Sequence, residues 1–270
     1  MFTGRAAQFL ASHHGARPLL QPNAWDVGSA KLLESLGFEA IATSSSAFAA
    51  TLGRLDGSVT RHEAIDHAAQ LAHAVHVPVS ADMENGFGDD PEDVAATVSL
   101  ACGSGLAGCS IEDFTGRAHD AIYDVGLAAQ RVAAAVEAAH RGPARLVLTA
   151  RAENHLHGRN DLADTIARLQ AYQEAGADVL FAPGLDTVED IRTLVTSVDR
   201  PVNVLATPGC PPVGELASIG VARVSVGGAF AYAALAAMIR AAHELRDTGT
   251  YSYWEGVAGA ETTIRRAFKP

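Results

Sequence analysis

The chain has 270 residues, of which 48% are hydrophobic and 19% charged, and its formal net charge is -11. That size and balance suit one large core, so a single domain over residues 1–270 is expected, with 246–270 as a C-terminal extension. The acidity argues against a nucleic-acid partner, which calls for a basic face. No run approaches the roughly 18 apolar residues of a membrane span and no basic-then-apolar leader opens the chain, so a cytoplasmic protein with no membrane partner is expected.

In chain order, the residues up to about 17 form a predicted N-terminal helix. Pro18 to Ala24 reads as a strand and Asp26 to Leu36 as a helix, with Gly37 just past its end. The alternation then repeats. Phe38 to Thr43 is a strand and Thr60 to Val75 a helix; Val77 to Ala81 is a strand and Pro91 to Cys102 a helix with proline in its first turn. Leu106 to Ile111, Ala144 to Ala150, Ala177 to Phe181, Pro201 to Leu205 and Val221 to Val226 are further apolar strands. The helices that follow them are Gly126 to His140, Leu162 to Ala175, Thr187 to Ser197, Pro212 to Ile219 and Phe230 to Leu245. Beyond the last lie the aromatic cluster Tyr251, Tyr253 and Trp254 and a final helix to Phe268.

Eight strands that alternate with helices require a parallel sheet covered on its outside, and in about 210 residues they suit a closed (β/α)8 TIM barrel of the α/β class. An open doubly wound sheet is the alternative, weakened by the lack of a GxGxxG after the first strand. Cys102, Cys109 and Cys210 cannot all pair and show no CxxC spacing, which predicts reduced thiols rather than a disulfide frame or a zinc site.

In a barrel the C-terminal strand ends converge on one mouth. Polar residues gather at those ends: Asn23 and Asp26; Ser44, Ser45 and Ser46; Asp82 and Glu84; Glu112 and Asp113; Arg151 and Glu153; Asn203 and Thr207; Ser225. If Asp82 and Glu84 continue the third strand, they face one side at i and i+2 and call for positive charge between them. A hard divalent cation such as Mg²⁺ is the simplest candidate, a solvated strand end the plain alternative. Arg151 is either a structural partner of Glu112 and Glu153 or a bidentate clamp for a substrate carboxylate. Gly227-Gly228 is either a packing device or a phosphate cradle. His119 in the loop after the fourth strand, with His155 and His157 after the fifth, are candidate proton carriers. No HxH or HExxH pattern is present, so a histidine metal site is not expected.

Asp82-Met-Glu84-Asn-Gly86-Phe-Gly88, Ser110-Ile-Glu112-Asp113 and Thr149-Ala-Arg151-Ala, over roughly residues 18 to 245, resemble the isocitrate lyase and phosphoenolpyruvate mutase superfamily. Leu52-Gly53-Arg54-Leu55-Asp56 is similar to that family's Leu-Gly-x-x-Asp. The resemblance implies an enzyme dependent on Mg²⁺, with Mn²⁺ as a substitute, and a homodimer or homotetramer in which a terminal helix is exchanged between subunits. It implies carbon-carbon cleavage, as a lyase or decarboxylase, of a small 2-oxo or 2-hydroxy di- or tricarboxylate through a pyruvate-like enolate. Asp82 would ligate the metal directly or through a water, Glu84 and Glu112 would order its waters, and Ser44, Ser45, Ser46 and Asn203 would hold the carboxylate. Arg151 would add positive charge, Asp56 would position the leaving group, and Arg117, His119 or Tyr123 would supply a proton. The loop after the fourth strand lacks the general-acid Cys of the isocitrate lyases, and the sixth strand ends in Pro183-Gly184 where the mutases carry a His. A phosphonopyruvate-type mutase or hydrolase is the alternative, and a 2-oxo acid binding protein without catalysis is a third reading.

Overall fold

A computed structural model of the chain describes residues 4–141 and 145–269. Phe2, Thr3 and Ala144, at the starts of the first predicted helix and the fifth predicted strand, lie outside the described residues.

The strands are β1 (Leu19–Gln21), β2 (Ile41–Ala42), β3 (Val79–Asp82), β4 (Gly108–Glu112), β5 (Val147–Arg151), β6 (Val179–Phe181), β7 (Val202–Leu205) and β8 (Arg223–Ser225). All pairings are parallel, in the order β1-β8-β7-β6-β5-β4-β3-β2. An isolated Asn23–Ala42 bridge spans the remaining gap: Ala24 N donates to Ala42 O at 2.7 Å and Ala42 N to Pro22 O at 2.9 Å. The result is a nearly closed (β/α)8 barrel, and the doubly wound alternative falls away.

The helices are α1 (Gly4–Ser12), α2 (Val27–Ser35), α3 (Ser45–Thr51), α4 (Arg61–Ala74), α5 (Pro91–Cys102), α6 (Val125–His140), α7 (Leu162–Glu174), α8 (Val188–Thr196), α9 (Val213–Ser218), α10 (Ala229–Asp247), α11 (Trp254–Ala258) and α12 (Glu261–Ala267). Local chemistry starts several of them. Asp26 with Ser29, and Thr60 with Glu63, form reciprocal capping boxes, and Pro91 opens α5 where its missing N–H costs nothing. The short helix α3 was not expected; Ser44 caps it by accepting from Ala47 N. Three strands also run one residue further than their apolar stretch, because ladder partners are present: Asp82 pairs with Ser110, and Glu112 with Arg151.

Strand residues that point outward, among them Val79, Ala81, Cys109, Ile111, Leu148 and Val204, join the helices in the main core. A second, small cluster of Phe9, Leu19, Ala40, Ala107, Val147 and Val179 closes the bottom of the barrel. Its centre is Phe9 of α1, which is why position 108 is glycine: a Cβ there would stand 2.7 Å from Val147 O and 2.8 Å from Phe9 Cε1. The floor is therefore plugged by α1, and the open end is the one carrying the charged residues.

At the C-terminus α12 packs on α2, with Phe268 against Gly28. By contrast α10 stands away from the barrel, with only Ala231 buried along its 19 residues. Among the described residues no helix is long and apolar enough to cross a membrane.

Candidate active site

Arg151 ends β5 at the centre of the mouth. Its guanidinium lies 3.0 Å from Asp82 Oδ1, 3.2 Å from Glu112 Oε2 and 2.8 Å from Glu153 Oε1, and 5.2 Å above the centre of the Phe181 ring. Burial by itself would weaken the hold on its proton, but Glu153, Glu112 and Asp82 outweigh that and hold its pKa well above the ordinary arginine value. Both sequence readings of Arg151 are thus compatible with its position: it ties the acids together and it lines the open cavity.

Asp82 and Glu84 do come together, but not by strand alternation. The strand stops at Asp82, and Glu84 lies in a turn at φ 48°, a left-handed conformation unusual for a residue with a Cβ. That turn is fixed at both ends: Glu84 N donates to Asp82 Oδ1 at 3.2 Å, and Glu84 O accepts from Glu112 N at 3.0 Å. Burial raises the Glu84 carboxyl to about 8, helped by Asp82 and Asp56 and opposed by Arg151. Burial likewise pushes Glu112 well above the carboxylate range, against the pull of Arg151. With Glu153 also raised by burial, a single guanidinium cannot keep all of these acids ionised.

The mouth opens into two adjoining cavities that share Ser45, Asp56, Arg151 and Leu156. The outer one, about 1160 Å³, is lined by Glu84, Glu112, Phe114 and His157 among others. The inner one, about 210 Å³, runs down the barrel axis past Ser44, Ser45, Ser46, Asp82 and Asn203. Ser44 and Ser46 hydroxyls pair at 3.1 Å, and Ser45 N donates to Asp82 Oδ2 at 3.2 Å. Gly227 N donates to Asn23 Oδ1 at 2.9 Å, and a Cβ on Gly228 would meet Tyr232 at 2.8 Å and Ser46 Oγ at 2.9 Å. The glycine pair serves packing, with the Gly227 N–H taken by Asn23, while both residues line the inner cavity.

Asp56 reaches both cavities from the loop before α4. His119 does not reach either: it is exposed in the loop after β4 and lines neither cavity. That loop folds on itself through the Phe114–Ile122 bridge, and Thr115 Oγ1 donates to Asp120 O. Arg117 and the Tyr123 hydroxyl are both engaged by Asp89, and burial with that hydrogen bond raises Tyr123 to about 12. His157, stacked 3.8 Å from the Phe114 ring, is the loop histidine that faces the outer cavity.

Several supporting residues escaped the sequence reading. Arg131, alone in the Ala-rich α6 and 1% exposed, donates to the carbonyls of Asn85, Gly88 and Asp89 and lies 4.1 Å from the Tyr123 ring centre. It holds the loop that begins with Glu84. Asp113, which the sequence reading placed at the mouth, instead turns into the wall, where Arg168 at 3.1 Å, Tyr172 at 2.6 Å and Glu153 N at 2.8 Å hold it. At the floor, Arg223 reaches Asn203 Oδ1 at 2.9 Å, Thr149 Oγ1 at 3.2 Å and His13 Nε2 at 3.1 Å.

His13 gives a pH prediction. Its Nδ1 lies 2.7 Å from Phe9 O and must donate, which leaves Nε2 to accept from Arg223 and keeps the ring neutral. Burial, with Arg223 adding, lowers its pKa from 6.5 to about 3. The stability this contributes is full above pH 6.5 and is lost as pH falls toward about 3, because the unfolded chain takes up a proton that the folded chain refuses. From neutral pH to about pH 5 the loss is about 1–2 kcal/mol. The buried acids of the mouth titrate alike in both proteins, so urea unfolding at those two pH values should show wild type losing about that much stability relative to His13→Gln; a stability difference that does not change with pH would refute the assignment.

The donor set of Asp82, Glu84 and Glu112 fits a hard divalent cation. It offers only oxygens, and burial leaves those oxygens short of positive charge. Among the described residues no three His, Cys, Asp or Glu side chains converge closely enough to hold a metal by themselves. Such an opening suits Mg²⁺, which binds through one or two carboxylates and keeps several waters.

A parallel barrel with its ionisable groups at the C-terminal strand ends is the layout of a TIM-barrel enzyme. The profile of the phosphoenolpyruvate phosphomutase family matches residues 9–246, and the chain belongs to that family, within the isocitrate lyase and PEP mutase superfamily of lyases and mutases. A structure from Burkholderia cenocepacia J2315, provisionally called a lyase/mutase, is 47% identical with a TM-score of 0.95, covering 98% of this chain and 96% of that one. A Corynebacterium glutamicum protein provisionally named 2-methylisocitrate lyase 2 is 32% identical over 67% of this chain and 60% of its own length. The oxaloacetate decarboxylase of Bradyrhizobium sp. BTAi1 is 29% identical over 93% of this chain and 88% of its own length.

Proposed function

We propose that the protein is a Mg²⁺-dependent carbon-carbon lyase or decarboxylase, with Mn²⁺ as a substitute, acting on a small 2-oxo or 2-hydroxy di- or tricarboxylate. The observation that carries this reading is the mouth itself: several buried acids gathered around one Arg151, with too little positive charge for all of them, beside a cavity of small polar groups. The relatives named for oxaloacetate and 2-methylisocitrate, one a di- and the other a tricarboxylate, support the substrate class.

Asp82, Glu84 and Glu112 would hold the cation, directly or through its waters. The cation supplies Lewis-acid stabilisation for negative charge that develops on the 2-oxo oxygen. Arg151, held in place by its acids, puts a second positive charge beside that oxygen. Ser44, Ser45, Ser46 and Asn203 hold the substrate carboxylate, and Asp56 positions the group that leaves. With a 2-oxo acid such as oxaloacetate, the electron pair of the breaking carbon-carbon bond stays on the pyruvate-like fragment as an enolate while CO2 leaves, and the enolate takes one proton at carbon. With a 2-hydroxy acid such as 2-methylisocitrate, the hydroxyl gives up its proton and becomes the 2-oxo group of pyruvate, and the electron pair leaves with the other carboxylate fragment, which takes a proton at carbon. Because His119 lies outside the cavities, His157 is the proposed carrier of that proton.

An assay of oxaloacetate, 2-methylisocitrate and phosphonopyruvate with Mg²⁺ tests the reading. Release of pyruvate from either of the first two is expected. Turnover of phosphonopyruvate alone would place the chain with the mutases or hydrolases of phosphonates, and calorimetric binding of oxalate without any turnover would leave a binding protein.

The proposed assembly is a homodimer or homotetramer in which α10 crosses to a second subunit. The support is its uncovered apolar side chains, Phe230, Tyr232, Met238, Ile239 and Leu245, each at least 41% exposed. Light scattering on the purified chain should give a dimer or larger, and a monomer at micromolar concentration would reject the exchange. A cytoplasmic location without a membrane partner remains part of the proposal, and the acidic composition supports the lack of a nucleic-acid partner.

A further inference from the structure

Barrels of this class usually fill their interior with branched aliphatic side chains. Here Gln21, Ser80, Ser110, Asn203, Arg223 and Ser225 surround an inner cavity of about 210 Å³, space for several waters at about 30 Å³ each. Arg223 stands at its floor, 4% exposed. Its hydrogen bonds go to Asn203 Oδ1, Thr149 Oγ1 and the neutral His13, and among the described residues no carboxylate pairs with it. A guanidinium has five N–H donors, so these three bonds leave two with no protein partner among the described residues. Two acids line the same cavity: Asp82 is committed to Arg151, and Asp56 lies in the part shared with the outer cavity and makes no ion pair with Arg223.

A buried cation without a counter-charge is expensive, and proteins pair such groups or neutralise them. Burial does lower Arg223, to about 9, which still leaves it charged at neutral pH. We propose that the inner end of the cavity, at Arg223, is an anion subsite that takes a carboxylate group or a small free monoanion. The site is built for one: a fixed guanidinium with donors to spare, held from below by His13 and Thr149 and flanked by the Asn203 amide and the Ser225 hydroxyl. Its occupant is either the far carboxylate of the ligand whose other end lies at Arg151, or a separate inorganic anion. The subsite goes beyond the proposed reaction and does not depend on it.

Bromide is the probe, because its anomalous scattering locates it without any turnover. Crystals of the full chain grown in sodium bromide should show a peak beside the Arg223 guanidinium. At constant ionic strength bromide should also raise the melting temperature of the wild-type protein, with about tenfold weaker apparent affinity in Arg223→Met and Arg223→Gln. Malonate then separates the sources: displacement of the peak by malonate assigns the subsite to a ligand carboxylate, and simultaneous binding of both assigns it to a free anion. A wild-type map with no bromide at Arg223 would overturn the proposal, whether or not the variants fold and whichever substrate the enzyme turns over.

Discussion

Arg151→Met is expected to lower kcat/KM by about 10²–10³-fold and to destabilise the fold by about 3–5 kcal/mol. The first effect follows from removing fixed positive charge at the place where the proposed reaction develops negative charge. The second follows from the acids left behind: Asp82, Glu112 and Glu153 lose the guanidinium that lies within 3.2 Å of each. Glu112 and Glu153 are already raised by burial, so without Arg151 they would take up protons more readily still. The stability gap between variant and wild type should therefore narrow as the pH is lowered, since protonated carboxyls no longer need the missing charge. Arg151→Lys keeps the charge but loses the planar fork that reaches several acids at once, and should fall between the two. Urea unfolding at two pH values with steady-state kinetics checks all of this. A Met variant as stable and active as wild type would show that the acids do not depend on Arg151.

Arg131→Leu should cost about 10²-fold in activity although the residue touches no cavity. Its guanidinium collects the carbonyls of Asn85, Gly88 and Asp89, the loop that carries Glu84 in its left-handed turn. Losing that clamp frees the loop, and a displacement of about 1 Å at the carboxylate proposed to order the cation is enough for a loss of that size. The three part-buried carbonyls would also lose their donor, at about 1–3 kcal/mol in total stability. Because the acids themselves remain, high Mg²⁺ should recover part of the activity of Arg131→Leu and none of that of Arg151→Met. Equal kcat/KM in Arg131→Leu and wild type would mean that the loop holds its shape without the clamp.

The alternation of strands and helices was legible because each strand is a short apolar run punctuated by Gly or Pro, and the mouth was legible because Asp82, Glu112 and Arg151 close three of those runs. What local patterns could not show is what long-range partners decide. Glu84 leaves the strand for a left-handed turn pinned by Glu112, 28 residues on in the chain. The short run Ser45–Thr51 has too few residues for a helical period, and becomes a helix because Ser44 caps it. Arg131 reads as a solvated residue in an Ala-rich helix, and only the tertiary fold places it under the acidic loop. Likewise His13 and Arg223 are 210 residues apart and meet only when α1 plugs the barrel. The chain order placed His119 in the loop after the fourth strand but could not give its direction: the Phe114–Ile122 bridge turns that loop back on itself and leaves the histidine in solvent.

The most direct test of the whole account is a calorimetric titration of Mg²⁺ into the wild-type chain and into Asp82→Ala, with oxalate present in both. The wild-type chain should bind the cation and the variant should bind it at least about tenfold more weakly, because one of the few carboxylates of the proposed site is lost. Equal affinity in the two, or no binding in either, would contradict a cation-dependent site at the mouth of this barrel.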